Sequence, residues 1–166
     1  MSKPTTSVIK KLGKDTAIFV GLFLIVYIAI NHLRQPSLPA HMPPLTDIDG
    51  NKVIINPNTP TLIYFWGTWC HICASTSPQV NRLSNDGYAV VSVAVASGDD
   101  ATLSDHLAQK GYQFRAVNDD TGELFYQFQG QVTPAYLILK DGKTKQGFTG
   151  LTPYWVLKGR MWVADF

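Results

Sequence analysis

Residues 65–73 read Phe-Trp-Gly-Thr-Trp-Cys-His-Ile-Cys and contain both cysteines of the chain, Cys70 and Cys73. The run that leads into them, residues 61–66, is rich in aromatic and β-branched side chains, which predicts a buried strand. Residues 74–83 follow with a pattern typical of a helix. The cysteines therefore stand at the junction of a strand and a helix, and Cys70 is predicted at the N-terminus of that helix.

This position determines the chemistry expected of Cys70. Unpaired backbone N–H groups and the positive end of the helix favour a thiolate, which is the species that attacks disulfides. Cys73, one turn further along, is predicted on the same side and more buried, and it resolves the mixed disulfide by attacking Cys70. A protonated His71 favours the thiolate further. A solvated His71 without a special role is the open alternative.

Two other interpretations of the cysteine pair stay open. One is structural, either as two buried small side chains or as a bridge, although so short a loop constrains the unfolded chain little. The other is Cu(I) binding by the two thiolates and His71, whereas a four-ligand zinc site lacks its second pair of ligands. The sequence favours a redox-active disulfide that needs no cofactor and no metal.

The N-terminal residues predict a membrane anchor. Residues 1–15 contain four lysines and one aspartate, and the 18 residues at 16–33 carry no full charge. A helix of that length spans about 27 Å, close to a hydrocarbon core of about 30 Å. The lysines predict a cytoplasmic N-terminus and an exported body. A cleaved signal peptide and a buried core helix are the alternatives. Residues 29–32 (Ala-Ile-Asn-His) lack the small-residue cleavage site that a signal peptide needs.

A tether and one domain are predicted after the anchor. Residues 34–44 contain four prolines, which favour an extended spacer. Residues 45–166 are enough for one domain. With 45% hydrophobic and 16% charged residues, the chain is unlike a disordered one. Its body is mildly acidic and has no basic stripe, so nucleic acid is not an expected partner.

Strand and helix patterns alternate along the body, which predicts an α/β fold with a central sheet and helices on both faces. In order, the predicted elements are a hairpin at 47–55 turning at Asp49-Gly50, a strand at 88–96, a helix at 99–110, a strand at 113–117, a hairpin turn at Asp141-Gly142 and a last helix after Thr152-Pro153. In that helix Trp155, Gly159, Trp162 and Phe166 share one face, which predicts a core stripe.

Two blocks of the sequence resemble a known family. Residues 65–73, followed by Pro78, are similar to the active-site block of thioredoxin-fold proteins, in particular the membrane-tethered TlpA-like branch. Residues 131–139 (Gln-Val-Thr-Pro-Ala-Tyr-Leu-Ile-Leu), followed by Lys-Asp-Gly, resemble the cis-proline strand and hairpin turn of that fold. The most similar group is that of suppressor-of-copper-sensitivity protein D, periplasmic oxidoreductases with a single anchor in the bacterial inner membrane. This implies a thioredoxin-like fold with a mixed sheet, and a link to copper tolerance.

The resemblance also implies roles for residues near the cysteines. Pro134 would lie beside the disulfide after a cis peptide bond, and Thr133 would offer backbone contacts to a client. An ordinary trans edge-strand proline is the alternative. Trp69, His71 and Ile72 join Thr133 as substrate-binding or tuning residues. Client proteins would supply thiols or disulfides, and a transmembrane electron donor of the DsbD or suppressor-of-copper-sensitivity B type would regenerate the reduced form.

Two positions depart from the family. Tyr64 stands six residues before Cys70, where thioredoxins keep a buried acid, and Thr76 stands three residues after Cys73, where this branch commonly has Glu. Tyr64 is interpreted as strand packing or as a catalytic phenol. The chain between Cys73 and Pro134 is too short for the large helical insertion of DsbA-like oxidases, so the resemblance favours reduction of clients.

Three alternative functions remain. A dithiol oxidase has the same cysteine spacing, and a stabilised Cys70 thiolate makes the disulfide a stronger oxidant. A Cu(I)-binding module would use the same thiolates. A tethered interaction module would carry an inert disulfide.

Overall fold

The computed structural model describes residues 6–166, with the side chains of residues 6–13, 17, 31 and 32 outside the described part. The chain divides into a first unit that ends at Leu33 and a second unit, Arg34–Phe166. Of the basic segment predicted at 1–15, residues 1–5 lie outside the described residues.

The first unit is helical. Helix α1 runs over Thr6–Arg34, and it covers the segment predicted as an anchor, residues 16–33. The described large apolar side chains between Ile18 and Ile30 are exposed. Within the described part of the chain, no helix is both long and apolar enough to cross a membrane.

The second unit contains a five-stranded mixed sheet with strand order β3-β2-β1-β4-β5. Strands β1, β2 and β3 are parallel, whereas β4 pairs antiparallel with both β1 and β5. The strands are β1 (Thr61–Trp66), β2 (Ala89–Val95), β3 (Arg115–Asp119), β4 (Ala135–Lys140) and β5 (Lys143–Thr149). This arrangement confirms the thioredoxin-like α/β fold with a central mixed sheet.

Helices cover both faces of the sheet. On the face that carries Tyr64 and Trp66, the core includes side chains of α2, α3 and α5, whereas the face that carries Phe65 packs against α4 and the segment before β1. The helices are α2 (His71–Asn85), α3 (Asp100–Lys110), α4 (Glu123–Gln127) and α5 (Tyr154–Ala164). Strand β1 is buried along its whole length, as a central strand covered on both faces must be.

The proline-rich segment 34–44 belongs to the second unit. It forms no helix or strand after Arg34. Pro36 is buried, and the backbone N–H of Ser37 donates to the carbonyl of Phe128 at 2.8 Å. Leu38 packs against the core on the Phe65 face. The spacer role stays a prediction, and the described contacts hold its first residues against the domain.

The predicted N-terminal hairpin is reduced to one bridge. Thr46 and Lys52 form an isolated antiparallel pair. The carboxylate of Asp47 accepts from the backbone N–H of Asn51 at 2.8 Å, and Gly50 turns the chain with φ of +81°. A left-handed φ of this kind favours glycine.

Two predicted element boundaries differ from the structure, and one short helix was not predicted. Helix α2 begins at His71 rather than at residue 74, because Cys70 itself caps it. Strand β3 begins at Arg115, since its parallel register pairs Val91 with Arg115. The short helix α4 was not expected from the sequence.

The core stripe predicted on α5 is wrong. Trp155 is 73% exposed and Trp162 is 63% exposed. The buried face of the helix is instead formed by Leu157, Met161 and Ala164, which recur at helical spacing. Both faces of α5 carry apolar residues, so the aromatic pattern alone selected the wrong one.

Candidate active site

The cysteines lie where β1 ends and α2 begins. The backbone N–H of Cys70 donates to the carbonyl of Gly67 at 3.1 Å, which turns the chain after Trp66. Cys70 is the N-cap of α2, with an extended backbone. The predicted place of Cys70 at the helix N-terminus is therefore confirmed.

Cys70 and Cys73 form a disulfide within the first turn of α2, with their Cα atoms 5.2 Å apart. The backbone N–H of Cys73 donates to Sγ of Cys70 at 3.2 Å. Cys70 is 7% exposed and Cys73 is 1% exposed, so the first sulfur is the more accessible. An N–H donor and the helix N-terminus both stabilise negative charge on Cys70 Sγ once the disulfide is reduced.

The loop before Cys70 is held by the end of β2. The indole Nε1–H of Trp69 donates to the carbonyl of Val95 at 3.0 Å. The backbone N–H of Thr68 donates to Oγ of Ser97 at 3.0 Å, and Ser97 Oγ in turn donates to the same Val95 carbonyl. These bonds fix the loop while leaving the Trp69 ring 61% exposed.

Gly67 allows the Trp69 ring to take that position. A Cβ atom on residue 67 would lie 2.6 Å from Nε1 of Trp69. Such a distance is shorter than any van der Waals contact, so a side chain here would displace the ring. Gly67 is therefore needed for a close approach between loop backbone and indole.

His71 and Ile72, the residues between the cysteines, are exposed. Together with the exposed Trp69, they place one imidazole and two apolar side chains next to the cysteines in the chain. An exposed apolar rim beside a reactive sulfur can contact a client polypeptide.

Pro134 and Thr133 lie at the same end of the sheet as the cysteines. The Thr133–Pro134 peptide bond is cis. Because Phe65 pairs with Ala135 in the antiparallel register, Pro134 lies level with the end of β1. Pro134 is buried, Thr133 is half-buried, and the Pro134 carbonyl accepts from the N–H of Gly150 at 2.9 Å.

A cluster of buried hydroxyls, formed by Tyr64, Thr76 and Ser77, lies beneath Cys73. The Tyr64 hydroxyl is 2.8 Å from Oγ1 of Thr76 and 2.9 Å from Oγ of Ser77. Thr76 Oγ1 also donates to the carbonyl of Cys73 at 3.3 Å. Burial raises the pKa of Tyr64 well above its ordinary value, so its phenol stays protonated.

The cluster was not identified from the sequence, although its members follow simple periodicities. Thr76 and Ser77 are three and four residues after Cys73, hence on its face of α2. Tyr64 belongs to the alternating set of β1 that faces the same core. Combining the two patterns would have indicated the contact.

Buried carboxylates lie elsewhere in the domain. Among the described residues, the buried acidic side chains are Asp47 and Asp119. Asp47 pairs with Arg115 at 3.4 Å, and Asp119 accepts from the N–H groups of Leu124 and Phe125 at the start of α4. Within the described part of the chain, no group of three or more His, Cys, Asp or Glu side chains is placed to hold a metal ion.

Comparison with known proteins assigns the family. The sequence profile of the Redoxin family matches residues 44–153. The chain belongs to the Redoxin family. A thioredoxin-like protein of Haemophilus influenzae is 41% identical over 163 residues, covering 95% of this chain and 98% of that protein. The thiol-disulfide oxidoreductase ResA of Bacillus thuringiensis is 27% identical over 113 residues, covering 64% of this chain and 65% of that protein.

Solved structures support the same fold. StoA from Bacillus subtilis superposes with a TM-score of 0.65 at 23% identity, covering 75% of this chain and 98% of that one. A secreted disulfide oxidoreductase of Mycobacterium tuberculosis gives a TM-score of 0.62 at 19% identity, covering 72% of this chain and 94% of that one. With the Cys70–Cys73 disulfide at the start of α2, this member of the Redoxin family is a thiol–disulfide oxidoreductase of the thioredoxin fold.

Proposed function

We propose that this Redoxin-family chain is a membrane-anchored reductase of client disulfides that acts outside the cytoplasm. Cys70 attacks the client disulfide, Cys73 resolves the mixed disulfide, and two electrons leave the protein as its own disulfide forms. The observation that carries the proposal is the hydrogen bond from the Cys73 N–H to Sγ of Cys70, which stabilises the attacking thiolate.

The client is proposed to bind across Trp69, Ile72 and the Thr133–Pro134 peptide. Pro134 has no N–H, and Thr133 precedes it just before β4, level with the end of β1. An extended client segment could pair with backbone groups at Thr133 while its disulfide faces Cys70. Exposed Trp69 and Ile72 would add apolar contact, and His71 would favour the thiolate when protonated.

The reducing direction is supported by the short connection between β3 and β4. Among the described elements this connection holds only the five-residue helix α4. The family resemblance associates a large helical insertion with DsbA-like oxidases. The TlpA-like, suppressor-of-copper-sensitivity D type of protein fits this arrangement. A transmembrane donor of the DsbD or suppressor-of-copper-sensitivity B type would return the electrons, and the role in copper tolerance stays a prediction.

Oxidation of client dithiols is the second candidate. It is favoured by the same bond from the Cys73 N–H, because stabilising the Cys70 thiolate stabilises the reduced protein and makes its disulfide more oxidising. The reduction potential separates the two directions.

Membrane attachment and export are proposed from α1 and its flanking charges. The uncharged residues 16–33 lie in one helix, and their described large apolar side chains are exposed. Lysines precede this segment, which favours a cytoplasmic N-terminus and a domain outside, in the periplasm of a bacterial inner-membrane topology. The secreted relative of Mycobacterium tuberculosis supports an extracytoplasmic setting.

Two experiments test this function. The chain is incubated with a disulfide-bonded protein and a reductant, and Cys70→Ser is expected to abolish the catalysed reduction. Retained catalysis in Cys70→Ser would refute the mechanism. For the anchor, alkaline extraction should leave the full chain in the membrane and release a chain that starts at Arg34, whereas release of both would refute the attachment.

A further inference from the structure

We propose that the hydroxyls of Ser77, Tyr64 and Thr76 form a proton path between Cys73 and a small polar cavity beside α3. The inference rests on the proposed function, because it concerns the proton that Cys73 exchanges each time the disulfide opens or closes. Among the described core residues no carboxylate lies next to Cys73, so the proposal assigns this proton transfer to uncharged hydroxyl groups.

The hydrogen-bond directions follow from counting donors. The carbonyl of Cys73 can only accept, so Thr76 uses its single proton for that bond at 3.3 Å. Thr76 Oγ1 then accepts from Tyr64 at 2.8 Å. Since the Tyr64 proton is used there, Ser77 donates to Tyr64 at 2.9 Å. In the disulfide form each of the three hydroxyls thus donates its proton to the next group in the series from Ser77 to Cys73.

This polarity suits the opening of the disulfide. A donor thiolate attacks Sγ of Cys70, the Cys70–Cys73 bond breaks, and Sγ of Cys73 leaves with the electron pair as a thiolate. Thr76 lies three residues from Cys73 on the same helix face. The path requires the Thr76 hydroxyl, which donates to the carbonyl of Cys73 at 3.3 Å, to turn its proton toward the sulfur of the same residue.

The proton balance then closes along the path. Thr76 gives its proton to Sγ of Cys73 and takes one from Tyr64, which takes one from Ser77, and Ser77 takes one from the cavity. When Cys73 later attacks Cys70 in a mixed disulfide, the same hydroxyls carry the proton outward. No net charge is stored on the path at either stage, so no buried anion opposes the departing thiolate.

The cavity supplies the outer end of the path. Its volume is about 120 Å³, and its lining includes Ser77, Tyr112, His106 and Lys110. A space of this size with several polar groups can hold water. Burial raises the pKa of Tyr112, while its hydrogen bond with Ser77 opposes the rise. His106 and Lys110 from α3 are the titratable groups at this end.

The three hydroxyls are enclosed by protein, and aromatic side chains surround Tyr64. Tyr64, Thr76 and Ser77 are all buried, and Tyr64 faces Tyr136 on β4 and Tyr112 after α3. Tyr136 is stacked on Tyr64 with ring centroids 5.2 Å apart. Burial raises the pKa of Tyr136, and its contacts with Thr76 and Thr152 oppose the rise, so Tyr136 also lies beside the path.

The test is the rate at which a small dithiol reduces the protein disulfide, followed by tryptophan fluorescence in H₂O and in D₂O. Tyr64→Phe is expected to slow the reaction about tenfold and to change its solvent isotope effect and pH profile. The control Tyr126→Phe removes an exposed phenol on α4 and should retain the rate and isotope effect of the unchanged protein. Thr76→Val should behave like Tyr64→Phe, and Thr76→Ser should restore the rate.

Two outcomes would overturn the path. One is a Tyr64→Phe rate within about twofold of the unchanged protein with the same isotope effect. The other is an equal rate for Thr76→Val and Thr76→Ser, which decides the matter even if Tyr64→Phe fails to fold. Alkylation of reduced Cys70 separates these results from the function itself. It should be equally fast in all variants, and an unreactive Cys70 in the unchanged protein would instead refute the proposed function.

Discussion

The backbone N–H of Cys73 donates to Sγ of Cys70 at 3.2 Å, so the sulfur of the first cysteine caps the helix that carries the second. A Cys70 thiolate is a better acceptor than a sulfur in a disulfide, so reduction strengthens this bond. The cap therefore links the chemistry of Cys70 to the local stability of α2.

Replacement of the resolving cysteine should trap the client. In Cys73→Ser, Cys70 still attacks a client disulfide, but the mixed disulfide has no thiol to resolve it. We expect a covalent protein–client complex on non-reducing gels that a thiol reductant releases. Cys70→Ser is the control and should form none. A complex in Cys70→Ser instead of Cys73→Ser would reverse the assigned roles.

Gly67→Ala should destabilise the domain. The added Cβ would lie 2.6 Å from Nε1 of Trp69, so the ring must move and lose its bond to the Val95 carbonyl. We expect a loss of about 1–2 kcal/mol in the free energy of unfolding, measured with denaturant. Gly159→Ala is the matched control, because nothing lies within 4 Å of its Cβ position in α5. It should gain roughly 0.5–1 kcal/mol from helix propensity. Equal effects of the two substitutions would contradict the close contact at Gly67.

The two faces of α5 should respond differently to truncation. Leu157 is fully buried, so Leu157→Ala should cost about 2–5 kcal/mol. Trp155 is mostly exposed, so Trp155→Ala should change stability by less than about 0.5 kcal/mol. Denaturant unfolding of both variants measures this. A larger loss of stability for Trp155→Ala than for Leu157→Ala would show that the aromatic side chains form the core face of α5.

His106 should make stability depend on pH. Burial, with a smaller contribution from Lys110, lowers the pKa of His106 in the folded state. The unfolded chain, with a His pKa of about 6.5, then takes up a proton at a pH where the folded chain does not. The free energy of unfolding therefore keeps the contribution of neutral His106 above about pH 6.5. It loses that contribution as the pH falls from about 6.5 through the lower pKa of the folded state.

The measurement for His106 compares melting temperatures between about pH 7.5 and pH 5.5. The unchanged protein should lose more than His106→Gln over this interval, and the difference should be small because the imidazole is only partly buried. Equal losses would show that His106 does not contribute.

The strand-to-helix junction could be predicted because its signals are local. The apolar run at Thr61–Trp66, the paired cysteines and the helical pattern after them are adjacent in sequence, and the structure places Cys70 at the cap as expected. The mixed sheet followed from the resemblance rather than from a local pattern, since strand pairing depends on residues far apart in the chain.

The hydroxyl cluster and the exposed face of α5 could not be predicted from single local patterns. Tyr64 and Thr76 meet only because β1 and α2 pack face to face, and their single patterns also fit ordinary core packing. In α5, Leu157 and Trp155 are both apolar, and the side that turns inward is decided by packing against α2 and the sheet.

The central claim is that the Cys70–Cys73 pair is a reducing redox centre, and the reduction potential of the protein tests it most directly. Equilibration in glutathione buffers, followed by fluorescence of Trp66 and Trp69, gives the potential. We predict a two-electron transition near the value of thioredoxin, about −270 mV. A value near that of DsbA, about −120 mV, would contradict the reducing direction, and the absence of a transition would contradict the redox function itself.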